Sequence, residues 1–224
     1  PQIDCSMGVA LLESSHEHDH DHGEEAKEAD DHHHEEAEAE EDDHHHEDKV
    51  EIDYASHDHE HDNHIWMDPL RAGQMLNNLA EGLAQADPAN AETYRANARN
   101  AQALLTQAKD EITGSLAGLS CRDLITFHDG FAYFADTFGL TILRSIEEEA
   151  GSEASAKDLT KMVHLVREHE LPAIFTEING SPSAAAVIRA ETGVGSFALD
   201  MAMGGDDYFT AMYHNIDTIR EALA

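Results

Sequence analysis

Behind residue 68 the apolar positions follow two periods in turn, and each change of period marks an element. Asp68 suits a helix N-cap and Pro69 a first turn; Leu70, Met75, Leu76, Leu79 and Leu83 then form a helical stripe over 68–85. Asp87-Pro88 reads as a second cap-and-proline start. From it the pattern Tyr94, Ala98, Ala101, Leu104, Leu105, Ala108, Ile112 runs to Gly114. At 1.5 Å per residue, some 25 helical residues span roughly 37 Å, a length that suits a spine between two lobes.

From Asp123 strands and helices alternate. Leu124–Phe127 reads as a strand that ends at His128-Asp129-Gly130, and Phe131, Phe134 and Phe138 then repeat at helical spacing until Gly139. Residues 140–143 form a second strand and 144–154 a loop. Ser155 caps a helix through Leu159, Met162, Val163 and Val166 that ends near His169. A third strand covers 173–177, and a helix from Ser181-Pro182 runs through Val187 and Ile188 to Gly193. A fourth strand covers 195–200, and a helix over about 206–221 closes the chain. Short connections between alternating strands and helices predict an α/β fold, a parallel sheet with helices on both faces.

The leading segment has another character. Met7-Gly8-Val9-Ala10-Leu11-Leu12 is apolar and reads as the tail of a strand and a turn. Residues 13–63 are a low-complexity run of acids, alanines and histidine clusters, without the apolar partners that would repay ordering, and the expectation is disorder in the absence of metal.

Charge sharpens the contrast. The formal net charge is -34, and residues 1–63 carry 24 acids against only Lys27 and Lys49. Such a field repels nucleic acid and anionic membrane surfaces and concentrates cations. Of 18 histidines, 14 lie between His16 and His64. At neutral pH most of these rings are available ligands, so the run implies weak, multiple and interchangeable metal sites. Cys5 and Cys121 leave one disulfide arithmetically open, with no spacing to support it.

Open parallel sheets place ligands beyond the carboxyl ends of their strands. Three strand ends carry candidate donors: His128, Glu177 and Asp200. His64 approaches from the other side of the spine. Zinc favours about four nitrogen, sulfur or oxygen donors, and His64, His128 and Asp200 make a set of three, with Asp129 or Glu177 orienting a ring from behind. Each residue also has an ordinary use: His64 stacked on Trp66, His128 as a structural strand end, Asp200 as a loop anchor, Glu177 as a solvated terminus. Donor type alone leaves zinc, nickel, cobalt and copper overlapping. A metallohydrolase is the competing class, but no His-Glu-x-x-His helix, Gly-x-Ser-x-Gly elbow or phosphate-binding glycine loop is present.

Four stretches read together resemble the zinc-specific, cluster A-I substrate-binding proteins of ABC importers. They are His64-Ile65-Trp66-Met67-Asp68-Pro69, the run from Asp87-Pro88 to Tyr94 and Asn97, Phe127-His128-Asp129 with Phe134, and Phe138-Gly139-Leu140. The resemblance implies two α/β lobes joined by one rigid helix, with the metal between them. It implies remnants of the first lobe at 1–12 and 64–86, a histidine-rich metal-binding loop at 13–63, the linking helix at 87–114 and the second lobe at 115–224. The family's second and third histidine ligands fall on His64 and His128, and its late aspartate on Asp200. By the resemblance, the early half of the first lobe, with the family's first histidine, is absent from this sequence, so either the chain is a fragment or another copy or segment supplies the lost surface. The three-ligand site should then hold zinc weakly unless His59 or His61 substitutes. By resemblance the protein binds Zn2+ in the periplasm or on the outer face of the cell membrane, passes it to a membrane permease of an ABC importer, and is not an enzyme. A zinc buffer or metallochaperone uncoupled from transport is the runner-up. Deleting Glu13 to Asp62 is expected to remove most of the weak zinc stoichiometry and leave one tighter site.

Overall fold

The computed structural model describes residues 2–13, 61–147, 154–204 and 207–224. The histidine-rich run at 14–60, and with it His59, lies outside the described residues. In chain order the described helices are α1 (Pro69–Ala86), α2 (Ala91–Ser115), α3 (Ala132–Phe138), α4 (Ala156–Glu168), α5 (Ser183–Thr192) and α6 (Tyr208–Leu223). The strands are β1 (Asp123–His128), β2 (Thr141–Glu147), β3 (Ala173–Glu177) and β4 (Gly195–Leu199). They pair in the order β2-β1-β3-β4, every neighbour parallel. The chain leaves β1 for one side of the sheet and later returns to the other side of β1, which makes β1/β3 the topological switch point.

Successive strand residues point to opposite faces, and this divides the interior in two. Leu124, Phe175 and Leu199 pack with Phe134 and Phe138 of α3 and with Met212, Ile216 and Ile219 of α6. Ile112 at the end of α2 joins that layer, as do Ile65 and Met67. On the other face Ile125, Phe127 and Ile174 pack against Met162 and Val166 of α4 and Ile188 of α5. Helices α1 and α2 lie antiparallel. Gln102 donates to the Gly73 carbonyl (3.2 Å), and Arg95 grips both carboxylate oxygens of Glu81 (2.7 and 2.8 Å), so the pairing runs in opposite directions along the two chains.

Three expectations need correction. The 144–154 loop is wrong at its start, because β2 continues to Glu147. Arg144 and Ser145 pair with Ile125 and Thr126, and backbone hydrogen bonding extends the strand where the side chains show no apolar alternation. The spine begins at Ala91 after a 3-10 turn over Pro88–Asn90, and the Asp87 carboxylate accepts chiefly from the Asn90 and Tyr94 side chains. The 7–12 stretch is no strand tail. A turn ends at Gly8 (φ 69°), and the irregular segment that follows makes one bridge among the described residues, Glu13 antiparallel to His61.

Caps follow the sequence more closely. Asp68 accepts from Leu70 N (2.7 Å), and Asp207 accepts from the N–H groups of Phe209 and Thr210 at the head of α6. The Thr210 hydroxyl, with these N–H groups, holds the Asp207 carboxyl below the usual carboxylate range. A lowered folded value means stability that is present above the unfolded value and lost as pH falls through the folded one. Asp207→Ala should therefore lower the melting temperature near pH 6, and the gap from the parent should shrink on acidification below pH ~4. Thermal melts across that range check this.

Candidate metal centre

The carboxyl ends of the strands line up on one edge of the sheet, and β1, β3 and β4 present His128, Glu177 and Asp200 there. His64 reaches the same edge from the turn that precedes α1. That turn is anchored at several points. Met67 is fully buried, Ile65 is nearly so, Trp66 Nε1 donates to the Met201 carbonyl (2.9 Å), and the Tyr208 hydroxyl donates to the Trp66 carbonyl (2.9 Å). Burial, then the nearby Asp68 carboxylate, keep the Tyr208 phenol protonated well above its ordinary range.

The consequence is one close contact. His64 Nε2 and His128 Nε2, 64 positions apart in sequence, stand 3.0 Å apart. The two rings are nearly perpendicular, with centroids 4.9 Å apart. Two imidazole nitrogens at 2.0–2.1 Å from a tetrahedral zinc would be roughly 3.3 Å apart, so a shift of a few tenths of an ångström admits the ion.

Behind His64 stands Asp62, which the sequence reading passed over. Its Oδ1 accepts from the His64 backbone N–H (2.8 Å) and from ring Nδ1 (2.7 Å). Asp62 is buried, and its Oδ2 has no partner among the described residues. A carboxylate only accepts, so Nδ1 carries the ring proton and Nε2 presents its lone pair. The 3.0 Å contact then requires His128 Nε2 to donate. That leaves His128 Nδ1 as a bare acceptor, and it is indeed buried with no hydrogen-bond partner among the described residues. Glu177 Oε1 lies 3.9 Å from it.

The remaining candidates sit as follows. Asp200 lines a cavity of about 200 Å³ together with His128 and Glu177. Its Oδ1 accepts from Ala202 N (2.8 Å), and its backbone is held at both polar atoms by the Asn215 side chain. Asp129 accepts from Ser145 Oγ (3.1 Å) on β2. His61 is exposed on the bridge to Glu13. Among the described residues no three His, Cys, Asp or Glu side chains converge closely enough to hold a metal ion. The fold brings two of the three predicted ligands together and leaves Asp200 on the adjoining wall. Cys5 and Cys121 are free thiols.

The family profile described as zinc-uptake complex component A, periplasmic (ZnuA), matches residues 1–222. The chain belongs to the ZnuA family. These are the zinc-binding substrate-binding components, cluster A-I, of ABC importers; they are periplasmic and are not enzymes. A putative metal-binding protein of Treponema pallidum is 32% identical over 173 residues, 75% of this chain and 54% of its own length. The zinc-binding protein AdcA of Streptococcus pyogenes is 29% identical over 172 residues, 73% of this chain and 33% of its own. The chain thus spans between a third and about half of these relatives. A crystal structure of ZnuA superposes with a TM-score of 0.73 at 27% identity, covering 99% of this chain and 70% of that one. A zinc-bound deletion variant of ZnuA gives 0.65 at 30% identity, with 73% and 62% covered. The parallel sheet, its flanking helices and the long α2 are those of the two-lobed ZnuA-type fold. No described helix is long and apolar enough to cross a membrane.

Proposed function

We propose that this chain binds zinc between His64 and His128 outside the cytoplasm and delivers it to the permease of an ABC-type importer. The observation that carries this reading is the 3.0 Å approach of the two Nε2 atoms. The donor set fits the cargo. When His128 Nε2 gives its lone pair to the ion, its proton moves to Nδ1, where Glu177 is the acceptor within reach. Asp200, on the wall of the cavity that His128 also lines, is the carboxylate offered for a further coordination position. In the organisation that goes with this reading, residues 1–12 and 64–86 belong to the first lobe, 87–114 to the linking helix and 115–224 to the second lobe.

The histidine-rich run gathers zinc for that site. Residues 14–60 hold 12 histidines among many carboxylates, which attract the cation and bind it weakly at many places. The test is a splice. Glu13 and His61 face each other in an antiparallel bridge, and Asp62 N donates to the Leu12 carbonyl (3.0 Å), so a two-residue Asn-Gly turn can join 13 to 61. The deletion has to spare Asp62, which a cut from Glu13 through Asp62 would remove along with its hold on His64. The spliced protein should lose most of its zinc stoichiometry and keep one tight site in calorimetric titration. A spliced, folded protein with no residual site would contradict the assignment to the His64–His128 pair.

A further inference from the structure

Asp62, at the end of a long run of acids, is held at both polar atoms of its backbone. Its N–H donates to the Leu12 carbonyl (3.0 Å), and its carbonyl accepts from the hydroxyl of fully buried Tyr133 (2.9 Å). The same hydroxyl accepts from Leu12 N (3.0 Å), so one phenol clamps the two chain segments on either side of 14–60. Alternation along the bridged segment sends His61 outward and the Asp62 side chain inward. The inward carboxylate is poorly served. Both of its hydrogen bonds go through Oδ1 to a single residue, His64, and Oδ2 has none among the described residues. Burying a half-satisfied carboxylate is costly, and an apolar side chain in its place would fill the space without that penalty. Its contacts do one chemical thing: they fix which nitrogen of His64 is protonated and where the other points.

We infer that Asp62 is the positioning residue of the metal site: it locks His64 in the Nδ1–H form, so that the Nε2 lone pair faces His128 before any ion arrives. Zinc binding at the pair is the reading above; the tautomer does not depend on it. Without Asp62 the His64 ring is free to carry its proton on Nε2 and to rotate, and an ion then has to displace that proton and reorient the ring. The substitution Asp62→Asn keeps a side-chain carbonyl that accepts from Nδ1–H, so this variant should retain the form that Asp62→Ala loses.

The experiment is 15N-detected histidine NMR on the full chain and its Asp62→Ala and Asp62→Asn variants. Zinc is added against a competing chelator and followed at the His64 signal, which separates this site from the other histidines. The metal-free parent and Asp62→Asn should show His64 protonated at Nδ1, and Asp62→Ala should show it protonated at Nε2 or exchanging between the two. Zinc affinity read at His64 should fall about 10–100-fold in Asp62→Ala and recover substantially in Asp62→Asn. An Asp62→Ala protein with the parental tautomer, or with the parental affinity, overturns the inference. A parent whose His64 signal ignores zinc overturns the zinc-binding reading instead, while the tautomer comparison still decides the role of Asp62. Should Asp62→Ala fail to fold, an Asp62→Asn protein that folds but loses the Nδ1–H form also overturns it.

Discussion

Replacing His128 with alanine is expected to abolish the tight zinc site in a protein that still folds. The ring stands at the tip of β1, where it closes no core layer, and its Nδ1 serves no described partner, so its removal orphans little. What it does remove is one of two nitrogens poised 3.0 Å apart. Structural zinc sites bind with roughly 10–16 kcal/mol shared over about four ligands, which puts one ligand near 3 kcal/mol, or about 100-fold in affinity. Competition with a chelator of known affinity should show a loss of at least that size, with the melting temperature of the metal-free protein within a few degrees of the parent. His64→Ala should match it. Unchanged tight binding in either variant would place the ion elsewhere, and the histidine-rich run would be the first place to look.

Gly130 yields the second large effect, for a reason unrelated to backbone freedom. An added Cβ would stand 2.5 Å from Met201 Cε, 2.7 Å from His128 Cδ2 and 2.9 Å from His128 Nε2. The methionine methyl can swing aside. The imidazole has less room, since it is mostly buried and its neighbour across the contact is His64, held in turn by Asp62. Gly130→Ala should therefore push the His128 ring off its line to His64. Overpacking of this kind costs about 1–3 kcal/mol, and each kcal/mol lowers the melting temperature by about 2–4 °C in a chain of this size. Zinc affinity should drop in the same variant. Gly114 is the control: a Cβ there meets nothing within 4 Å, and alanine in the last turn of α2 should be neutral or mildly stabilising. A Gly130→Ala protein that melts and binds zinc like the parent would show that the ring has space the geometry denies it.

How much of this was legible beforehand depended on which signals are periodic. The four strands and the helices of the sheet body were, because apolar residues recur every second or every third to fourth position there. The strand ends followed, and with them His128, Glu177 and Asp200, since a parallel sheet exposes its carboxyl edge to ligands. The end of β2 was hidden because Arg144 and Ser145 are held by backbone pairing to β1, which leaves no apolar trace. Asp87 looked like a cap because caps and turn-linking carboxylates share residue types; only the positions of Asn90 and Tyr94 tell them apart. Asp62 was the costliest omission. It sits in a stretch of aspartates and glutamates where one more carboxylate carries no signal, and its burial and its bonds to His64 exist only in the fold. The available hint was its place two residues before His64, a spacing at which a carboxylate can reach both the backbone N–H and the ring. Tyr133 is fully buried, and that its hydroxyl joins Leu12 to Asp62 depends on contacts 71 and 121 residues away in sequence.

Anomalous scattering at the zinc edge from zinc-loaded crystals bears most directly on the claim that this fold presents a two-imidazole metal site. A single strong peak bonded at about 2.0–2.1 Å to Nε2 of both His64 and His128 is the expected result. A well-occupied peak away from these two nitrogens, with the rings still in hydrogen-bond contact or turned apart, would contradict it.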